Sequence, residues 1–290
     1  MRISKIIIPI LSTILIAGCG GQTVEVSADI KSVINSYKEV PADIKTALAT
    51  ITRECMKDNG HSYSDGGEYL GYTPSQAVNG DATLHQQDNS YITTEKHEDL
   101  SSGQSQEYLK ALTGSDSQNP DDHITYILTS GMAVAVGKNS CTAKAYEQVF
   151  GSVENGLKYT NFSNDLLTAS NSSEANQEIG KLYKDNKEYP QCMNQAGYPD
   201  VKTFGDAPKV AEQKFGHYRA PGTQANAEER AMAQADYTCQ ESSGIVRKAE
   251  DIFYSKAAQW LKDHEALIME IRDIEKAAKE RAVQIINNQS

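Results

Sequence analysis

Apolar and polar positions along this chain recur with the period of a helix over most of its length. Over residues 41–59, Ile44, Leu48, Ile51 and Cys55 fall at intervals of three and four, one face of an amphipathic helix. Pro41 suits the first turn of that helix, and an earlier helical stretch begins at Ala28. The segment QSQEYLKALTG (104–114) predicts a short helix closed by Gly114, and CTAKAYEQVFG (141–151) another closed by Gly151. Asn171-Ser172-Ser173-Glu174 resembles a capping box and opens a helix running towards Cys192, with Pro190 near its end. DAPKVAEQKFG (206–216) predicts one more short helix. From Asn226 the pattern is helical nearly to the end: Ile252, Phe253, Ala257, Trp260, His264, Leu267, Ile268, Ile271 and Ile274 share helical spacing. Ser242-Ser243-Gly244 is the expected kink in this run, and Glu275 and Lys279 form an i,i+4 ion pair. The long helix is expected to pack across the second half of the chain.

The pattern changes in three places. HITYILTSGMAVAVG (123–137) is the most apolar stretch after the first twenty residues and fits a buried strand as well as a buried helical segment. Periodicity fades over residues 60–103, a long irregular loop rich in polar and turn residues. SVENGLKYTNFSNDLLTASNS (152–172) reads as a linker between two helical modules.

A short block occurs twice on this helical background. ECMKDNGHSY (54–63) and QCMNQAGYPD (191–200) both carry Cys-Met-x-x-x-Gly followed by a ring-bearing residue, His61 or Tyr198. A glycine so placed is the natural left-handed residue just past a helix end, and the methionines suit core space beside sulfur. Each block is followed by a lone cysteine, Cys141 after Cys55 and Cys239 after Cys192. The simplest pairing is Cys55–Cys141 and Cys192–Cys239, one disulfide per module. Zinc sites favour close Cys-x₂₋₄-Cys pairs, which this sequence lacks.

The first residues bear on compartment. Arg2 and Lys5 precede an apolar run over residues 6–16, too short to span a bilayer as a helix but suited to a signal peptide. Small residues then lead into Cys19, and Ile16-Ala17-Gly18-Cys19 resembles the lipobox of bacterial lipoproteins. That resemblance implies cleavage after residue 18 and acyl chains, such as palmitate, on Cys19. Two such chains hold a protein stably on a membrane. An even number of further cysteines in an exported chain is consistent with disulfides. The net charge is −11. An acidic chain offers no footprint for nucleic acid, and its body is repelled by anionic lipid, so the lipid and not charge would hold it.

Motifs that carry chemistry are sparse. The sequence contains no Gly-x-Ser-x-Gly elbow, His-Glu-x-x-His, P-loop or dinucleotide glycine pattern. Asp121-Asp122-His123 is the best acidic–histidine cluster, and in a polar insert the expectation is a solvated turn. His264 is expected to be a packed side chain one turn after Trp260. No catalytic residue, cofactor or metal site is assigned.

Taken in order, ECMKDNG, LSSGQSQEYLKALTG, NSCTAKAYEQVFG, QCMNQAG and ADYTCQESSGIVRKAEDIFYSKAAQWLKDHEALI resemble a group of uncharacterised lipoproteins from actinobacteria. The likeness covers most of the chain after Cys19. It implies an envelope with the anchor in the outer leaflet of the cytoplasmic membrane, and it carries no activity. The expected architecture is mainly α: two disulfide-stapled helical modules, with a long irregular loop in the first and a long C-terminal helix. The expected divisions are a signal peptide (1–18), a lipidated membrane-proximal segment (19–40), module one (41–151), the linker (152–172) and module two (173–290). The expected role is binding of an envelope partner by a lipid-anchored protein; the alternative is an envelope enzyme with a site between the modules.

Overall fold

Serine and asparagine set where many of the helices begin. The side chains of Ser27, Ser105, Ser140, Ser152, Ser172 and Asn226 each accept a hydrogen bond from the backbone N–H three residues on, which satisfies a donor the helix itself leaves free. The computed structural model describes residues 26–37, 40–63, 105–114, 119–216 and 225–288. In chain order the helices are α1 (Ala28–Ser36), α2 (Ala42–Asp58), α3 (Gln106–Thr113), α4 (Cys141–Phe150), α5 (Val153–Ser170), α6 (Ser173–Asp185), α7 (Glu188–Gln195), α8 (Ala207–Phe215), α9 (Ala227–Ser243), α10 (Ile245–Asp263) and α11 (Glu265–Asn287). One antiparallel hairpin, β1 (His123–Ile127) and β2 (Ala133–Gly137), lies between α3 and α4, with His123 opposite Gly137 and Ile127 opposite Ala133. The protein is thus mainly helical. The signal segment, Cys19 and most of the 60–103 loop lie outside the described residues.

The first core joins α2, α4, α5 and α11. Ile44, Leu48, Ile51, Val149, Phe150, Leu157, Phe162, Ile271 and Ile274 are buried together. The final helix therefore closes the first module, contrary to the expectation that it packs across the second. Ile271, Ile274, Ala278 and Ala282 form a narrow stripe, and its alanines let α11 lie close to its neighbours. A separate core beneath α7, α8 and α9 gathers Tyr189, Met193, Val201, Phe204, Met232 and Ile245. The long C-terminal helix is divided twice. Gly244 separates α9 from α10, as expected, and His264 separates α10 from α11, where its ring stacks on Trp260 at 4.2 Å and its Nδ1 lies 2.8 Å from the Trp260 carbonyl.

The expected linker is α5, a helix in the middle of the packing. Its sequence looks like a linker because it is polar, yet the polar groups are satisfied within the helix. Thr160, Asn161, Thr168 and Ser170 donate to the carbonyls of Gly156, Leu157, Asn164 and Leu166, four residues back. Gly156 has a steric reason. A Cβ there would sit 2.3 Å from Cγ of Tyr146, so only glycine lets α4 and α5 approach. Leu166 of α5, Tyr254 and Ala257 of α10, and Val26 and Ile34 beside and within α1 form a further cluster, which places the start of the described chain against α5 and α10. Lys31 and Asp251 pair at 2.6 Å across that contact.

The apolar segment left open between strand and helix is the hairpin. Ile124, Tyr126, Val134 and Val136 face the first core, while Thr125, Ile127, Ala133 and Ala135 point outwards. This is the alternation of a sheet buried on one face.

Candidate functional site

The repeated block forms the same structure twice. In α2, the N–H of Gly60 donates to the Lys57 carbonyl at 2.9 Å and that of His61 to the Met56 carbonyl at 2.9 Å. In α7, Gly197 donates to Asn194 at 3.0 Å and Tyr198 to Met193 at 2.8 Å. Both are Schellman closures: the glycine is left-handed (φ 80° at Gly60, 95° at Gly197) and the next residue reaches back to the methionine carbonyl. The cysteine lies one residue before the methionine, in the last helical turn. It bonds to a later helix in each case, Cys55 to Cys141 and Cys192 to Cys239, with sequence separations of 86 and 47. Met56 and Met193 are fully buried beside these sulfurs.

The two staples differ in their surroundings. Cys55, Met56 and Cys141 sit under Tyr63, Tyr108 and Leu112, and the Asn59 amide lies 3.9 and 3.8 Å from the two sulfurs. In the second module an acid supports the staple. Asp236, one turn before Cys239, is buried; it accepts a hydrogen bond from the Tyr189 hydroxyl at 2.6 Å and another from the Gln240 amide at 2.9 Å. Burial, and then the charge and hydrogen bond of Asp236, hold the Tyr189 hydroxyl far above its ordinary ionisation range. Tyr159 of α5 is raised likewise, by burial and then by Glu275, to which it donates at 2.9 Å; Glu275 also pairs with Lys279 at 2.6 Å. Tyr183 is pushed up to about 12, mainly by burial. Tyr189 and Tyr159 are clamps between helices: each remains a protonated donor to an acid on another helix, buried Asp236 or half-buried Glu275.

Among the described residues, no group of three or more His, Cys, Asp and Glu side chains converges as a metal site would. Asp121 and Asp122 are exposed in a turn beside β1, and His123 Nδ1 lies 3.2 Å from the Asn119 carbonyl. His61 meets the Tyr108 ring edge-on, and His264 is stacked on Trp260. The described histidines are thus dispersed and do not assemble a site between modules. His85, His97 and His217 lie outside the described residues.

Two surface features remain. A groove of about 580 Å³ runs beside α11, lined by Phe150, Ala266, Met269, Asp273, Ile274 and Arg281, with Met269 exposed. The hairpin tip presents Ile127 and Met132 to solvent, 57% and 47% exposed, two of the five large apolar side chains exposed among the described residues. Sequence reading missed both, because each depends on which face of an element its neighbours leave uncovered. No helix of the described residues is long and apolar enough to cross a membrane. No protein-family model, no curated protein and no solved structure matches the chain.

Proposed function

We propose that this chain is a lipid-anchored protein of the cell envelope. Acyl chains on Cys19 hold it at the extracytoplasmic face of the cell membrane, and its stapled helical body binds an envelope protein partner. The observation that carries the reading is the position of Cys19. It follows small residues at the end of a signal-like apolar run, and the other four of the five cysteines are consumed in two disulfides. Disulfides persist in exported proteins and are rare in reducing compartments, so the pairing and the lipobox-like start agree on compartment. The resemblance to actinobacterial lipoproteins points the same way.

The partner-binding part of the reading rests on the α11 groove. Phe150, Ile274, two alanines and exposed Met269 offer apolar contact beside the polar Asn155, Glu270, Asp273 and Arg281, and with the apolar side chains carrying the contact capture should survive loss of any single polar side chain. The acidic balance disfavours nucleic acid as the partner.

The test is chemical cross-linking of the protein in intact cells, followed by mass spectrometry of the captured material and of the N-terminal peptide. The expected result is a mature chain beginning at an acylated Cys19, with a reproducible partner that disappears in Cys19→Ala. An unprocessed N-terminus sinks the anchoring. An acylated chain with no partner above background sinks the interaction and leaves the anchoring.

A further inference from the structure

The exposed hairpin tip and the candidate lipid site converge on one helix. The tip is held by Asp165 of α5: the Thr129 hydroxyl donates to it at 2.7 Å and the Ser130 backbone N–H at 3.3 Å. Asp165 is itself buried. The next residue, Leu166, belongs to the cluster that buries Val26, the first described residue of the chain. Val26 is fixed there, only 8% exposed, with its N–H 3.5 Å from Asp251. Six residues separate Val26 from Cys19. Even fully extended, that spacing limits the reach from Cys19 to Val26 to about 25 Å. The point where the chain leaves a lipidated Cys19 and enters the fold is therefore close to the bilayer, and adjacent residues of α5 connect that point to the tip.

The tip has the chemistry of a membrane contact. In a chain that is 23% charged, no charged residue occurs over residues 124–137. The outward face of the hairpin is Thr125, Ile127, Ala133 and Ala135, and Met132 stands at the turn. Leu128 accepts from the Gly131 N–H and donates to the Met132 carbonyl, both at 2.9 Å, so with Ser130 bound to Asp165 three N–H groups of the turn have internal partners and need no water. The acidic body would be repelled by anionic headgroups, whereas residues 124–137 add no charge of their own and the Asp165 beneath them is buried.

We propose that the tip, through Ile127 and Met132, docks into the headgroup region of the bilayer that carries the lipid anchor, and so fixes the orientation of the body on the membrane. The inference rests on the anchoring reading above. Tethering makes the contact intramolecular, so two partly buried side chains suffice to favour the docked orientation by about tenfold.

The test uses the full acylated protein on vesicles of phosphatidylcholine with phosphatidylglycerol. Chloramine-T, a charged oxidant confined to water, converts exposed methionine to its sulfoxide. Met132 and Met269 are both exposed, so Met269 serves as the internal reference. The expected result is that Met132 oxidises up to about tenfold more slowly on vesicles than in a soluble Cys19→Ala chain made without residues 1–18, while Met269 does not change. Ile127→Ser, on the outward face, should weaken that protection. If the protein floats with the vesicles and Met132 oxidises as fast as in the soluble chain, docking is wrong and anchoring stands. If Cys19 carries no lipid mass and the protein does not float, anchoring fails and docking falls with it. If Met132 is already protected in soluble Cys19→Ala, increasingly so with protein concentration, the tip covers a second copy of the chain and the bilayer proposal is overturned.

Discussion

Replacing Tyr189 by Phe removes one oxygen from the middle of the second core. The ring keeps its place against Phe204, 5.4 Å between centroids, so packing is preserved. What is lost is the 2.6 Å hydrogen bond to Asp236, a buried carboxylate that retains the Gln240 amide. A hydrogen bond to a charged buried group contributes about 1.5–3 kcal/mol, so Tyr189→Phe should lower unfolding free energy by about 2 kcal/mol at pH 7. A second consequence is less ordinary. The folded state holds the Tyr189 proton far above the usual tyrosine range, whereas the unfolded chain releases it near pH 10. A folded-state value raised above the unfolded one gives stability that is complete below pH 10 and declines as pH rises, by about 1.4 kcal/mol per pH unit for this one group. Phe at position 189 has no proton to lose. The stability curves of the two proteins should therefore converge above pH 10 and meet at about pH 11.5, where about 1.5 units of that slope cancel the neutral-pH deficit. Urea unfolding followed by circular dichroism at stepped pH measures this directly. Parallel curves from pH 7 to 11.5 would refute the assignment of Tyr189 as a proton held by Asp236.

The remaining predictions concern the staples, two glycines and the groove. Non-reducing peptide mapping should return the 55–141 and 192–239 links, and a Cys55–Cys192 peptide would overturn the module assignment. In the chain-entropy account, replacing both cysteines of the first or second staple by alanine should lower stability by about 4.6 or about 4.0 kcal/mol, read from reversible denaturant unfolding. Gly197→Ala places a Cβ on a residue at φ 95° and should cost about 1–2 kcal/mol. Gly180→Ala, inside α6 with open space at its Cβ, should instead add about 0.5–1 kcal/mol. If both substitutions destabilise equally, the left-handed cap is misassigned. Met269→Asp should abolish partner cross-linking in cells without moving the thermal midpoint, and unchanged capture would remove the α11 groove from consideration.

The features legible in the sequence are the local ones. A Schellman closure involves six consecutive residues, so Cys-Met-x-x-x-Gly followed by a ring contains nearly everything needed to draw it, and the repeat supplies the pairing. Gly114 and Gly151 were readable as helix ends for the same reason, since each sits in the left-handed region directly after its helix. The misread features depend on partners distant in sequence. The stripe on α11 reports that one face is buried but not against what, and the answer is Ile44 and Phe150, far upstream. The α5 segment is poor in apolar residues because its side-chain amides and hydroxyls bond within the helix, which no hydropathy pattern records. A strand and a buried helix share the apolar residues of the hairpin, and only cross-strand pairing separates them. Asp236 offered a usable signal: an acid on the same face as Met232, Ala233 and Cys239 has to find a donor within the core.

The closure of the first core by α11 gives the chain an assembly order. Synthesis delivers the N-terminal residues first, and the helices bearing Cys55 and Cys141 are complete while the second module is still to come. Ile44, Leu48 and Phe150 then have part of their cover missing, because Ile271 and Ile274 belong to α11, which is made later. The first disulfide can thus form on an unfinished core, acting as a placeholder that keeps α2 beside α4 until α11 arrives. A chain that stops at His264, before α11 begins, retains every cysteine and both staples, yet leaves an apolar trench where α11 belongs.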